Sequence, residues 1–271
     1  MGRGLFGLMT HRTTDTDMTQ AGLADHGAML ARWLRRALAG VLALVLTSAA
    51  HAYEVTPMRV FLQPDRGQNS ATITINNIRE EPLPVEILIL RRVVKPDGEQ
   101  VFEPADEEFI TFPPQVQIGA GQSQAIRIQF VGEIEDVAEA YVVQVTEVPV
   151  NKLEGTGIQF TYNFGVAVYV QPPRAKARLA VSDATAADGA LRFKVANSGN
   201  DYGFLTGQVL EYKVGTTRVQ LTPDDVASLV SNPIVPPGAT REFALPLDAS
   251  LGAGPAAAGG PVEVRLLRGE G

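Results

Sequence analysis

The sequence predicts an all-β protein made of β-sandwiches. Three observations carry this. From Tyr53 onward, apolar and polar residues alternate in short runs, the period of two expected of strands whose successive side chains point to opposite faces. Clusters of Pro, Gly and Asn punctuate these runs, at the spacing of turns in an antiparallel sandwich. No sustained amphipathic-helix pattern interrupts them. A chain of 271 residues suggests about two domains.

In chain order, residues 58–62 read as a strand. Residues 70–76, SATITIN, alternate cleanly, and Asn76-Asn77 with Glu80-Glu81-Pro82 marks the following loop. Residues 83–94 form a third strand, with Val85, Ile87 and Ile89 on one face. Lys95-Pro96-Asp97-Gly98 is a turn, since Pro presets φ and Gly accepts positive φ. Residues 109–112 and 115–118 flank Pro113-Pro114 and read as an interrupted edge strand, because Pro cannot donate to a ladder. Residues 124–130 and 140–148 are strands separated by an acidic loop at 132–139. Residues 157–172, GIQFTYNFGVAVYVQP, make the longest alternating run. Its even positions from Ile158 to Val170 are all bulky and apolar. Periodicity alone leaves two readings: a long core strand, or a row partly offered to another chain.

Gln171-Pro172-Pro173 reads as a hinge into a second, smaller set of strands at 178–182, 191–197, 204–214, 218–221, 241–247 and 262–267. Thr222-Pro223-Asp224-Asp225 caps a short helical turn, with Thr at the N-cap and Pro at the first position. Residues 252–260 are a tract of small residues. The expected division is therefore 1–52, 53–172 and 173–271.

Residues 29–52 have the three parts of an export leader. Arg32, Arg35 and Arg36 supply the positive region, 37–46 the apolar region, and Ala50-His51-Ala52 an A-x-A cleavage site, so the mature chain is expected to begin at Tyr53. The apolar run falls short of the roughly 20 residues a membrane span needs. The Arg35-Arg36 pair is only a weak hint of a twin-arginine signal. The polar residues 1–28 are either a long positive region or upstream of a true start at Met29 rather than Met1. Nothing after Tyr53 is apolar enough to span a membrane, so the mature protein is expected to be soluble outside the cytoplasm.

The chain is 45% hydrophobic and 20% charged with a net charge of −7, an ordinary globular balance without the basic footprint of a nucleic-acid binder. It has no cysteine, which removes disulfides, thiol catalysis and thiolate metal sites. Its three histidines, His11, His26 and His51, all precede Tyr53, so the mature chain lacks the usual general base and metal ligand. No nucleophile elbow, P-loop or dinucleotide fingerprint is present. The acidic pairs Glu80-Glu81, Asp106-Glu107-Glu108 and Asp224-Asp225 read as solvated turns, and the acidic 133–139 loop lacks ligand spacing. No cofactor and no enzymatic activity are expected.

Several segments in order resemble the PapD-like periplasmic chaperones of the chaperone–usher pilus pathway. They are Met58-Arg59-Val60-Phe61, Ile75-Asn76-Asn77 followed by Leu83-Pro84, Phe112-Pro113-Pro114, Gly121 leading to Gln124-Ala125-Ile126-Arg127, Glu147-Val148-Pro149, and the long run ending at Pro172. The second half matches only around residues 193–197. The resemblance implies two immunoglobulin-like sandwiches in a boomerang arrangement. It implies pilus, fimbrial or coat subunits and an outer-membrane usher as partners, and the periplasm as location. It assigns Ile158, Phe160 and Tyr162 as pocket-filling residues of a donor strand, with Phe164 continuing the row without an equivalent. The part from Val166 to Val170 then packs within its own domain.

Arg59 matches the arginine that anchors a subunit's terminal carboxylate. The family's second basic residue is missing: Ala167 stands where a lysine is expected, and Gln171 stands where an inter-domain arginine is expected. Either the anchor differs in a divergent branch, or another cation such as Lys176 moves in. The competing reading is a structural surface module such as a pilus subunit or adhesin. Two domains and an internal long strand argue against it.

Overall fold

A computed structural model describes residues 53–149, 161–215, 217–247 and 262–268. The leader at 1–52, the pocket-filling candidates Ile158 and Phe160, and the tract 252–260 lie outside the described residues. The described residues fall in one compact unit.

The first ten strands are β1 (Glu54–Thr56), β2 (Arg59–Leu62), β3 (Ser70–Asn76), β4 (Leu83–Val94), β5 (Gln100–Pro104), β6 (Phe109–Phe112), β7 (Gln115–Ile118), β8 (Ser123–Phe130), β9 (Glu139–Glu147) and β10 (Asn163–Val170). They form two facing sheets. One has the order β1-β3-β8-β6; the other runs β2-β10-β9-β4-β5, with β7 also on β4. Alternation decides the core. Ile73 and Ile75, Leu83 to Ile89 at odd positions, Ile126 and Ile128, Val143 and Val145, and Val166 and Val168 are all buried between the sheets.

Prolines mark two places where the chain changes sheet. β1 pairs with β3 and β2 with β10, with Pro57 between them. β6 pairs with β8 and β7 with β4, with Pro113-Pro114 between. A residue without an N–H cannot continue a ladder, so each break becomes a crossing point. The interrupted edge strand of the sequence is thus two half-strands in two different sheets. Pro114 still contributes its carbonyl, which accepts from the Ile87 amide at 2.9 Å. β5 was not foreseen: it is short and almost wholly exposed, so it carries no burial pattern.

The remaining strands are β11 (Leu179–Ala187), β12 (Ala190–Asn197), β13 (Gly203–Phe204), β14 (Gln208–Val214), β15 (Thr217–Leu221), β16 (Ile234–Val235), β17 (Thr240–Pro246) and β18 (Val262–Arg268). They form sheets β11-β12-β17, β15-β14-β18 and the pair β13-β16. Leu191, Phe193, Val195, Leu210, Tyr212 and Leu245 share a second core. Asp188 and Gly189 both have positive φ in the β11–β12 turn, the two-residue hairpin geometry that Asp-Gly favours. The helix α1 (Pro223–Leu229) carries the expected cap. The Thr222 hydroxyl accepts from the Asp225 amide at 3.2 Å, and the Asp225 carboxylate accepts from the Thr222 amide at 2.8 Å.

Two acidic runs differ from their reading as solvated turns. Asp225 is the reciprocal half of that capping box. Glu108 is partly buried and accepts from Arg91 at 2.7 Å and from the Tyr141 hydroxyl at 2.6 Å, while Arg91 also pairs with Glu139. Burial first, and the hydrogen bond to Glu108 second, push the Tyr141 phenol far above its ordinary value. No helix among the described residues is long and apolar enough to cross a membrane.

Candidate functional site

The long run centred on Phe164 becomes β10, which starts at Asn163. Tyr162 and Thr161 therefore precede the strand instead of belonging to it. On one side β10 pairs with β9 along its whole length. On the other side β2 covers only residues 167–170. Residues 163–166 thus have one bonded neighbour among the described residues. The amides of Ala167 and Gln171 donate to the Met58 and Leu62 carbonyls at 3.0 and 2.8 Å. Strand groups alternate in direction, so the odd residues face β2. The same parity turns the backbone N–H and C=O of Asn163 and Gly165 toward the open edge.

Arg59 stands where that edge closes. It is the first residue of β2 and lies in register with Ala167. Its side chain is exposed and its guanidinium carbon sits 4.8 Å from the centre of the Phe204 ring. No hydrogen bond or ion pair joins that side chain to another described residue. The register therefore puts Ala167 beside Arg59, where a second cation was expected. Lys176 does not replace it through any side-chain contact among the described residues; its amide donates to the Asn200 side chain at 2.9 Å and its side chain is exposed.

An aromatic floor lies under this corner. Phe61 stacks on Tyr169 at 5.3 Å, and Phe204 meets Tyr169 edge-on at 5.2 Å. Tyr169 is fully buried although it lies on the face of β10 opposite Val166 and Val168, which point into the first core. The reason is a third cluster, in which Ala138, Ala140 and Tyr169 from the first sandwich pack on Tyr202 and Ile234 from the second. β10 is covered on both faces at this end, because the second set of strands caps it. Arg92, also buried, donates to the Tyr169 hydroxyl at 2.5 Å. Burial pushes the Tyr202 phenol up to about 12.

Gln171 carries a neutral version of the expected inter-domain link. Its side-chain amide donates to Asp201 at 2.6 Å, and its carbonyl accepts from Gln63 at 2.9 Å. Gln63 in turn accepts from Arg66 at 3.1 Å. All donors point one way, from Arg66 to Asp201. Burial raises the Asp201 pKa, and the hydrogen bonds from the Tyr202 amide and Gln171 offset only part of it.

Tyr162 is 36% exposed and sits over a polar cluster. Its carbonyl accepts from the Tyr53 hydroxyl at 2.9 Å, and that hydroxyl also reaches the Val145 carbonyl at 3.0 Å. The Arg79 guanidinium carbon lies 5.6 Å from both the Tyr53 and Tyr162 rings. Arg79 makes a two-pronged pair with Glu147 at 2.6 and 2.9 Å. The bond from Arg79 holds the Glu147 carboxyl below its ordinary range, while burial and then the Glu147 charge push the Tyr53 phenol up to about 12. Sequence reasoning passed over Tyr53, Arg79 and Phe204, because their partners are far away in the chain and no periodicity marks them.

The fold is a pair of immunoglobulin-like sandwiches, and among the described residues the first has a half-open strand edge ending at a cation without an ion-pair partner. Residues 52–176 match the family described as pili and flagellar-assembly chaperone, PapD N-terminal domain. Those residues are similar to that family's N-terminal domain, which supports the resemblance read from the sequence. The chain is similar to the class 5 fimbriae chaperone CfaA at 14% identity and a TM-score of 0.50, covering 81% of this chain and 100% of that one. It is similar to the YadV chaperone at 16% identity and a TM-score of 0.50, covering 80% and 92%. A chain of the chaperone–tip adhesin complex of CFA/I fimbriae biogenesis also matches at 16% identity and a TM-score of 0.50, covering 71% and 85%. At these identities the likeness establishes the shared fold. A search of curated proteins gave no match.

Proposed function

We propose that the protein is a periplasmic chaperone that binds pilus or coat subunits by donor-strand complementation and delivers them to an outer-membrane usher. In this reading residues 1–52 are removed on export, 53–172 form the subunit-binding domain and 173–271 the second domain. Ile158, Phe160 and Tyr162 fill pockets in the subunit, and Arg59 takes its terminal carboxylate.

The supporting observation is the position of Arg59 at the closed end of the open β10 edge. A subunit strand ending with its carboxylate at Arg59 would lie along residues 163–166 and run toward residue 167. It would thus be parallel to β10, bonding to the backbone groups of Asn163 and Gly165. A carboxylate suits an arginine that has no ion-pair partner among the described residues, because the planar guanidinium offers a two-pronged match. Main-chain bonds give affinity for any extended segment, while alternate side chains give selectivity. Each apolar side chain fully buried in a subunit pocket stabilises by roughly 1.5–3 kcal/mol before ordering costs. An unpaired edge in a subunit is an aggregation hazard, and covering it is the physical purpose of the complex.

Co-expression with a subunit encoded beside this chain tests the reading. The expected result is a stable equimolar complex that survives purification. A subunit that aggregates or degrades as readily with the protein as without it would sink the proposal.

A further inference from the structure

The polar cluster beneath Tyr162 joins two points that lie on either side of residues 150–160. Glu147 closes β9 and Tyr162 immediately precedes β10. Their backbones are bonded, Glu147 N–H to Tyr162 carbonyl at 3.3 Å. Arg79, from the loop after β3, is fixed on Glu147 by two bonds and lies over both tyrosine rings. Tyr53 arrives from the start of the described chain, is only 2% exposed, and packs edge-on against Phe164 at 4.7 Å. Its hydroxyl proton is shared between the carbonyls of Val145 on β9 and Tyr162. Three segments distant in sequence thus converge on one residue, and that residue is the last of the three assigned to the donor row.

We propose that Tyr53 and Arg79, backed by Glu147, are positioning residues that pre-order Tyr162 and the first residues of β10 for subunit capture. The inference rests on the reading of β10 as the subunit-binding edge. A strand donated to a partner must be ordered at the moment of binding, and ordering opposes affinity. Order already present in the free protein lowers that cost. Tyr53 suits the task because its ring is locked in the core while its hydroxyl reaches the backbone, so it fixes the chain without contributing a side chain to the edge. Arg79 fixes the Tyr162 ring by its charge and planarity, and Glu147 keeps that charge in place.

Tyr53→Phe keeps the ring and removes the hydroxyl, and Arg79→Lys keeps the charge and removes the planar fork. In the purified protein alone, hydrogen exchange should quicken by about fivefold at the amides of Phe164 and Val166, which face β9, in Tyr53→Phe, the effect of one net hydrogen bond. Amides of β3 and β8 should keep their protection. Unchanged exchange at Phe164 and Val166 overturns the pre-ordering. Capture of the subunit encoded beside this chain should weaken by a similar factor, with the melting temperature nearly constant. Capture equal to the unaltered protein overturns the positioning role, and so does a loss that merely tracks melting temperature. If the unaltered protein captures no subunit, the subunit-binding reading fails instead, and the exchange result alone decides whether the cluster orders the start of β10.

Discussion

Arg59 is an exposed cation over an aromatic ring, with no acidic partner among the described residues and with Ala167 as its register neighbour. A lone cation has to hold a carboxylate without help, so it should matter more here than as one of a pair. We expect Arg59→Ala to weaken subunit capture by about tenfold, the low end for a charge-assisted bond given its exposure, measured by titration of purified components. Unchanged affinity would remove Arg59 from the site. Gln171 offers a second test. Asp201 is a carboxylate whose pKa is raised by burial, so the folded state disfavours its ionised form. That cost is absent below its unfolded pKa and grows as pH rises through the folded value. Gln171→Arg supplies a counter-charge. It should raise the melting temperature at pH 7 and leave it nearly unchanged at about pH 3, below the unfolded pKa of Asp. Equal shifts at both pH values would show that the effect is not electrostatic.

Strands were legible wherever one face is buried. β3, β4, β6 and β7 begin and end where alternation and turn residues place them. β10 begins later than the apolar row, at Asn163, and the backbone of Tyr162 is joined to the end of β9 through its carbonyl. The burial of Tyr169 on its odd row is not legible from alternation, because it depends on the second sandwich packed against it. The Lys95–Gly98 turn was legible as a turn, though its role was not. Gly98 has φ +94 and its carbonyl accepts from Asn232 at 3.0 Å. A Cβ there would stand 2.1 Å from Arg241 Nη2. Arg241 cannot yield freely, because it is buried and donates to the Asn232 and Ile234 carbonyls at 2.5 and 2.6 Å. Gly98→Ala should therefore cost about 1–3 kcal/mol and lower the melting temperature by about 2–8 °C. A melting curve like that of the unaltered protein would show that the turn is not held against the second sandwich.

For the molecule as a whole, the all-β class and the two sandwiches followed from periodicity and turn chemistry. The links between sandwiches did not, because they depend on contacts between residues remote in sequence, such as Gln171 with Asp201 and the packing of Tyr169 on Tyr202. The candidate site divides in the same way. Arg59 was found through an ordered set of short motifs, whereas the open edge beside it is a property of pairing that no single strand reveals. These parts make one device if an extended segment of a subunit lies along β10 and is filled in by the row that ends at Tyr162. The direct test is co-purification of the subunit encoded beside this chain with the double variant Phe160→Asp, Tyr162→Asp. Two carboxylates carried into apolar pockets would be strongly unfavourable, so the complex should be lost while the variant keeps the melting temperature of the unaltered protein. An intact equimolar complex with the double variant would contradict donor-strand complementation by these residues.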